Sequence, residues 1–503
     1  MSLATVYTRS YQGIEAQEVQ VEAHLANGLP ACNIVGLAEA AVKESRDRVR
    51  AALVNSQFEF PAKRVTVNLA PADLPKIGGY YDLSIAIGIL AASQQIHPRD
   101  IQCYEFVGEL ALSGELRASR GVLPIALACK AAQRSLIVPE DALAEAQLVS
   151  GLRVYGAKSL LEVCAHLSGQ ERLDDRNIER LEIPSARLSA YPDLADIKGQ
   201  QHAKRALEIA AAGQHNLIFL GPPGTGKTML ASRLAGICPA MSEQEAIESA
   251  SVQSISHHGF ALSQWSQRPY RQPHHTASGV ALIGGGSNPM PGEVSLAHHG
   301  VLFLDELTEF SRQSLEVLRE PLETGSVCIS RAARQAHFPA RFQLVAAMNP
   351  CPCGYQGDPQ RHCACSADQI QRYRSKISGP LLDRIDMHIV VPRLGEHELL
   401  QAHSPAENSQ QVQRRVIQAR TQQLQRANKV NAQLSAKEIE QYCALCPQAQ
   451  ALIKQAMQKL CLSVRAYHRI LKVARTIADL SAQEDIALAH LSEAIGYRQL
   501  DRE

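Results

Sequence analysis

Asn216-Leu-Ile-Phe-Leu220, followed by Gly221-Pro-Pro-Gly-Thr-Gly-Lys-Thr228, is the stretch whose reading decides the fold. The four apolar residues after Asn216 read as a short buried strand, and Met229 to Ala235 continues as an amphipathic helix. Between them Gly221, Pro222, Pro223, Gly224, Thr225, Gly226, Lys227 and Thr228 form a P-loop in its required strand–loop–helix context. Its glycines let backbone amides turn toward phosphates, and the helix N-terminus adds the positive end of its dipole. Lys227 is expected to reach the β- and γ-phosphates of ATP, and Thr228 to ligate Mg²⁺.

Further along, Val301-Leu-Phe-Leu-Asp305-Glu306 is a second buried strand that delivers two carboxylates at its C-terminal edge, where open α/β sheets place ligands. Asp305 is expected to hold Mg²⁺, and Glu306 to orient and deprotonate the attacking water. Phe342-Gln-Leu-Val-Ala-Ala-Met-Asn349 is another strand, ending in an amide suited to sensing the γ-phosphate. Leu381-Leu-Asp-Arg384-Ile-Asp386 places an arginine after a helix, beside the strand Met387 to Val391. The plain alternatives are a turn-forming Asn349 and a surface ion pair at Arg384.

The rest of the chain bounds this reading. At 503 residues two or three domains are expected, and 51 Lys plus Arg against 50 Asp plus Glu leave no net charge that argues for a partner. The start, MSLATVYTRSYQG, lacks the apolar core of a signal peptide, and the longest apolar run, Leu83 to Ala92, is half a membrane span. A cytoplasmic protein with no membrane contact is the expectation. Val19, Val21, Ala23 and Leu25 alternate ahead of an Asn27-Gly28 turn. Val42, Val49 and Leu53 share a helix face, and Val65, Val67 and Leu69 make another strand. The sequence therefore predicts a mixed α/β domain over residues 1–168, a charged linker over 169–192, an α/β P-loop core with a parallel sheet over 193–392, and a helical lid over 393–503.

Taken in order, GPPGTGKT, LFLDE, AAMNP and LLDRID resemble the AAA+ class that includes magnesium-chelatase ATPase subunits and replicative-helicase-like motors. That resemblance implies that Arg384 acts in trans on a neighbour's ATP. It also implies that Arg465, in Leu462-Ser-Val-Arg-Ala-Tyr-His-Arg469, acts in cis from the lid. Arg268-Pro-Tyr-Arg271-Gln-Pro-His274-His275-Thr-Ala-Ser278 and Gly284 to Glu293 look like the insertion of magnesium-chelatase-like ATPases. Residues 326–338, SVCISRAARQAHF, resemble a pore-facing hairpin with Arg331 and Arg334 at its basic tip, or else a solvated edge hairpin.

Cys351-Pro-Cys353 and Cys363-Ala-Cys365 put four cysteines in a proline- and glycine-bounded loop (351–365), matching the tetrahedral demand of a structural Zn²⁺. Reduced free thiols, or substitution by His362, are the alternatives. The whole chain resembles the ComM/YifB family of magnesium-chelatase-like proteins. What that family implies is a ring-forming, hexameric class of DNA motor, linked to branch migration, recombination factors and integration of incoming DNA. A chelatase-like or chaperone-like ATPase that remodels a protein partner is the competing reading.

The first domain also resembles the Lon-type protease fold, of S5-like α+β build, through Pro71-Ala-Asp-Leu-Pro-Lys-Ile-Gly78 and Gly108 to Arg117. The serine position holds Lys76 and the catalytic lysine's place holds Pro124, so no activated nucleophile is expected. For DNA, Gln411 to Val430 offers Arg414, Arg415, Arg420, Arg426 and Lys429 without an acid, and Ser256 to His275 interleaves aromatics with Arg268 and Arg271. A solvated lid face and a folded insertion core are the bland readings of these two stretches. Cys443 and Cys446 read as core residues.

Overall fold

The computed structural model describes residues 2–37, 40–76, 78–98, 100–173, 191–286, 288–331, 334–395, 407–460, 462–498 and 500, without the side chains of residues 40, 41, 331 and 334. Most of the 169–192 linker expectation therefore lies outside the described residues. The chain divides into two compact units: residues 1–185 with 246–265 and 330–337, and residues 186–245 with 266–329 and 338–503.

The first unit is built on a seven-stranded mixed sheet. Its strands are β1 (Ser2–Gln12), β2 (Glu15–Ala26), β3 (Ala31–Val35), β4 (Arg64–Ala70), β5 (Tyr104–Phe106), β6 (Ser135–Pro139) and β7 (Val154–Ala157), in spatial order β3-β4-β2-β1-β5-β6-β7. The alternation read in β2 is real: Val19, Val21, Ala23 and Leu25 are buried on one face. Helix α1 (Ala40–Asn55) packs Val42, Val49 and Leu53 inward, and the apolar run forms α2 (Asp82–Ala92), buried nearly all round. Arg48 on α1 donates to the buried Asp82 carboxylate at 2.7 Å, compensating a charge that burial alone would disfavour. Lys76 is fully buried and donates to the Pro71 carbonyl, and Pro124 is buried in a helix. Neither position carries a nucleophilic hydroxyl or its base.

The second unit holds a five-stranded sheet, every pair parallel. Its strands are β8 (Leu217–Leu220), β9 (Tyr270–Arg271), β10 (Val301–Leu304), β13 (Gln343–Met348) and β14 (Met387–Val390), ordered β9-β10-β13-β8-β14. The hairpin β11 (Ser326–Arg331) and β12 (Arg334–Pro339) is inserted between β10 and β13. Leu217, Ile218, Phe219 and Leu220 are all buried, as are Val301 to Leu304, which is why both strands read as unbroken apolar runs. Each such leucine or phenylalanine contributes roughly 1.5–3 kcal/mol by leaving water. Helix α3 (Gln201–Gly213) precedes β8, and α4 (Lys227–Ile237) follows it, burying Leu230, Ala231 and Leu234. Short helices α5 (Arg319–Thr324) and α6 (Gly379–Leu382) lead into the hairpin and toward β14.

The third region is helical, as expected: α7 (Ser409–Ala427), α8 (Ala436–Tyr442), α9 (Pro447–Lys459), α10 (Val464–Leu480) and α11 (Leu488–Gly496). A capping box joins Asn408 and Gln411 at the start of α7. The basic residues of Gln411 to Val430, expected to lack acids, do not form an uncompensated stripe. Arg415 pairs with Glu208 and Glu407, Arg426 with Asp479, and Lys429 with Glu438. Arg420 donates to the Ala212 carbonyl at 2.8 Å, at the exposed-carbonyl end of α3. Glu407 and Glu438 lie just outside the stretch and Glu208 and Asp479 are distant in sequence, so the charge pattern within the stretch concealed them. Cys443 is buried, as expected, but Cys446, expected in the core as well, is exposed because it caps the start of α9. Among the described residues no helix is long and apolar enough to cross a membrane.

Candidate nucleotide site

Parallel strands β10, β13 and β8 lie side by side, so their C-terminal ends open on one edge of the sheet. The loops leaving that edge carry Asp305 and Glu306, Asn349, and the P-loop, which is where a doubly wound sheet places its ligand. Gly224 and Gly226 have φ of +78° and +86°, conformations that a side chain would strain. At Gly221 an added Cβ would come within 2.2 Å of the Val391 carbonyl oxygen. The glycine spacing thus reflects two backbone turns and one close approach.

Lys227 Nζ folds into this loop. It donates to the carbonyls of Gly221 (2.7 Å) and Pro222 (2.8 Å) and to Asn349 Oδ1 at 3.2 Å. Burial pulls its pKa down to about 8, with Asp305 and Glu306 opposing. Thr228 Oγ1 donates to Asp305 Oδ2 at 2.7 Å, so the two side chains expected to share a magnesium ion already meet. Such an oxygen pair, with phosphate oxygens to complete the shell, is the donor set Mg²⁺ takes. Glu306 is exposed and left-handed, at φ +49°, and one of its carboxylate oxygens lies 3.2 Å from His275 Nδ1. Strained backbone of this kind clusters at functional positions.

Arg384 is buried, donates to the Pro380 carbonyl at 2.6 Å, and is ion-paired with Glu323. Arg465 is exposed on the first turn of α10. Arg469, one turn on, is ion-paired with the buried Asp386 of the LLDRID segment. Arg268 and Arg271 are spent within the chain: Arg268 on Glu245 and the Pro239 and His299 carbonyls, Arg271 on both Glu293 oxygens. The side chains of Arg331 and Arg334 lie outside the described residues. Sequence reasoning gave no role to His275, Glu323 or Arg469. Only Arg469 carried a signal, being four residues from Arg465 and so on the same helix face.

The four cysteines come together. Cys351 Sγ lies 3.4 Å from Cys353 Sγ and 3.6 Å from Cys363 Sγ, and all four sulfurs fall within 4.8 Å of one another. A tetrahedral zinc with Zn–S bonds near 2.3 Å needs sulfurs about 3.8 Å apart, so the set fits that ion. The Tyr355 backbone N–H, with contributions from Cys351 and the Ala364 N–H, pulls the Cys353 thiol down to about 6. The same loop touches the nucleotide site: a Cβ on Gly354 would meet Pro223 Cδ at 2.9 Å and Asn349 Cγ at 3.9 Å.

A P-loop on a parallel sheet, paired carboxylates on the neighbouring edge and a helical lid define a P-loop ATPase core of the AAA+ type. Comparison with known proteins agrees. The family described as magnesium chelatase, subunit ChlI, matches residues 193–399. Its companion descriptions, subunit ChlI of Mg-chelatase and the ChlI C-terminal part, match residues 21–142 and 406–498. The chain is 54% identical to competence protein ComM of Haemophilus influenzae over 505 residues, covering 100% of this chain and 98% of the relative. It is 48% identical to the uncharacterized protein YifB of Escherichia coli over 504 residues, with the same coverage of 100% and 98%. The magnesium-chelatase 38 kDa subunit of Rhodobacter capsulatus is 27% identical over 176 residues, 31% of this chain and 49% of that one. The chain belongs to the magnesium-chelatase-like AAA+ family, in the group that holds ComM and YifB, a family that implies ATPase activity with ATP and Mg²⁺.

Proposed function

We propose that this protein is a ring-forming, ATP-driven DNA motor that promotes branch migration and integration of incoming DNA. The carrying observation is the end-to-end 54% identity to a relative named for competence, joined to the convergence of Lys227, Thr228, Asp305, Glu306 and Asn349 on one sheet edge. In this reading the P-loop amides and Lys227 hold the ATP phosphates. Thr228 and Asp305 would hold Mg²⁺, which neutralises phosphate charge when bound. Glu306 accepts the proton of the water that attacks the γ-phosphorus, and Asn349 orients that water. Arg384 of one subunit stabilises the transferring phosphoryl in its neighbour's site, and Arg465 does so in cis from the lid.

The cysteines 351, 353, 363 and 365 would hold a structural Zn²⁺ with no open position, fixing the turn against Pro223. Residues 331 and 334 are the DNA contacts we favour. Arg268 and Arg271, engaged by internal acids, serve the insertion's own packing. The N-terminal domain over 1–168 is a Lon-like fold used for assembly or DNA contact.

The test is ATP-dependent dissociation of a fluorescent three-strand DNA joint. The wild type dissociates it, and Glu306→Gln does not. An ATPase-active protein that leaves every joint intact would favour the second reading, a chelatase-like machine acting on a protein partner, to which the family descriptions also lend weight.

A further inference from the structure

Both arginines that the ATPase reading uses must be able to approach phosphate, yet Arg384 is already engaged within its own chain. Its Nη2 is ion-paired with Glu323, its Nη1 donates to the Pro380 carbonyl at 2.6 Å, and its Nε is buried without a partner among the described residues. The two halves of the pair differ in exposure: the Arg384 side chain is 8% exposed and that of Glu323 55%. The carboxylate thus sits on the outer side of the guanidinium. The pair borders a cavity of about 390 Å³ whose wall includes Glu316, Arg319 and Glu320.

Glu323 lies on α5, which runs directly into the hairpin. Gly325 ends the helix at φ +70°, and its carbonyl accepts the Ala340 N–H at 2.8 Å, closing the base of β11 and β12. A Cβ on Gly325 would meet Arg341 Cγ at 2.8 Å, so the Arg341 stem, at the far side of the hairpin base, packs directly against this turn. A single residue, Thr324, separates Glu323 from that turn. A displacement at the hairpin base is therefore carried to the carboxylate that holds Arg384.

We propose that Glu323 is a latch on Arg384: it holds the guanidinium in the resting subunit and yields it when the hairpin base moves under load. A neighbour's phosphates and the Glu323 carboxylate compete for the same Nη2, while the Pro380 carbonyl keeps the guanidinium in place after release. The hairpin's substrate thereby controls hydrolysis in the adjoining subunit. Glu323 acts through Arg384 and is a positioning residue. This inference rests on the trans role of Arg384 proposed above.

The test separates donor from acceptor. Glu306→Gln chains, whose own sites cannot turn over, are mixed with Arg384→Ala chains, whose sites lack a finger to offer but can receive one. Acceptor turnover is then read as phosphate release, with and without a single-stranded oligonucleotide. Adding Glu323→Gln to the donor should raise turnover without DNA about two- to fivefold, the bias a partly exposed ion pair exerts, and should shrink the DNA stimulation correspondingly. Equal or lower turnover with that donor overturns the latch while leaving the trans role standing. Silence of both mixtures overturns the trans role, and the latch with it.

Discussion

Arg469 on the lid helix α10 is ion-paired with Asp386, a carboxylate buried where β14 begins and two residues beyond Arg384. One acid thereby links the lid to the turn that carries Arg384 just ahead of β14, and holds the helix that carries Arg465. Asp386 also accepts the Asn216 N–H at 2.9 Å, at the entrance to β8. Burial alone would raise its pKa, but Arg469, His215 and that N–H outweigh burial and hold the carboxyl well below the usual carboxylate range.

Replacing Asp386 with Asn should therefore destabilise the second unit by about 3–5 kcal/mol, the cost of leaving one partner of a buried pair uncompensated. Because the folded pKa is depressed, this stability is present above the unfolded value of about 3.9 and is lost as pH falls through the folded one. Denaturant midpoints at neutral pH check the first point, and their decline in acid checks the second. An unchanged midpoint would contradict the assignment.

Glu306→Gln should bind ATP as the wild type does and lose roughly 10²–10⁴-fold in hydrolysis, the range for a missing general base. Nucleotide fluorescence and phosphate release measure the two separately. A fall in binding with hydrolysis per bound ATP preserved would remove Glu306 from the proton transfer.

Purified protein should carry about one zinc per chain by elemental analysis, and Cys353→Ser should lose it. Since Gly354 packs against Pro223 and Asn349, metal loss should also weaken ATP binding by roughly tenfold, or about 1.4 kcal/mol. Full zinc occupancy in the variant would contradict the site.

How much of this was legible in the sequence follows from how local each signal is. The P-loop, the two carboxylates and Asn349 were readable because each sits at the end of a short buried strand, and a parallel sheet brings such ends together. The cysteine set was readable because its members crowd one loop. By contrast, Glu208 beside Arg415, the end of α3 beside Arg420 and Asp479 beside Arg426 are all far away in the chain, and Glu407, the second partner of Arg415, lies just outside the basic stretch. His275 and Glu323 were silent for the same reason: each gains its meaning only by meeting Glu306 or Arg384 across the fold.

The depressed pKa of Lys227, about 8, gives a pH signature. ATP phosphates favour the charged ammonium, so above that pH binding should take up a proton, approaching one per ATP. Calorimetry at about pH 8.5 in buffers of different ionisation heat would show it as a buffer-dependent binding enthalpy. A binding enthalpy independent of buffer would place the lysine outside the phosphate contact.

The central claim is that hydrolysis is switched on by assembly and by DNA. Its most direct test is ATPase rate per chain against protein concentration, with and without branched or single-stranded DNA, for the wild type beside Glu306→Gln. The account predicts a rate that rises steeply with concentration, is stimulated by DNA, and is abolished in the variant. A constant rate per chain, indifferent to every DNA tried, would contradict it.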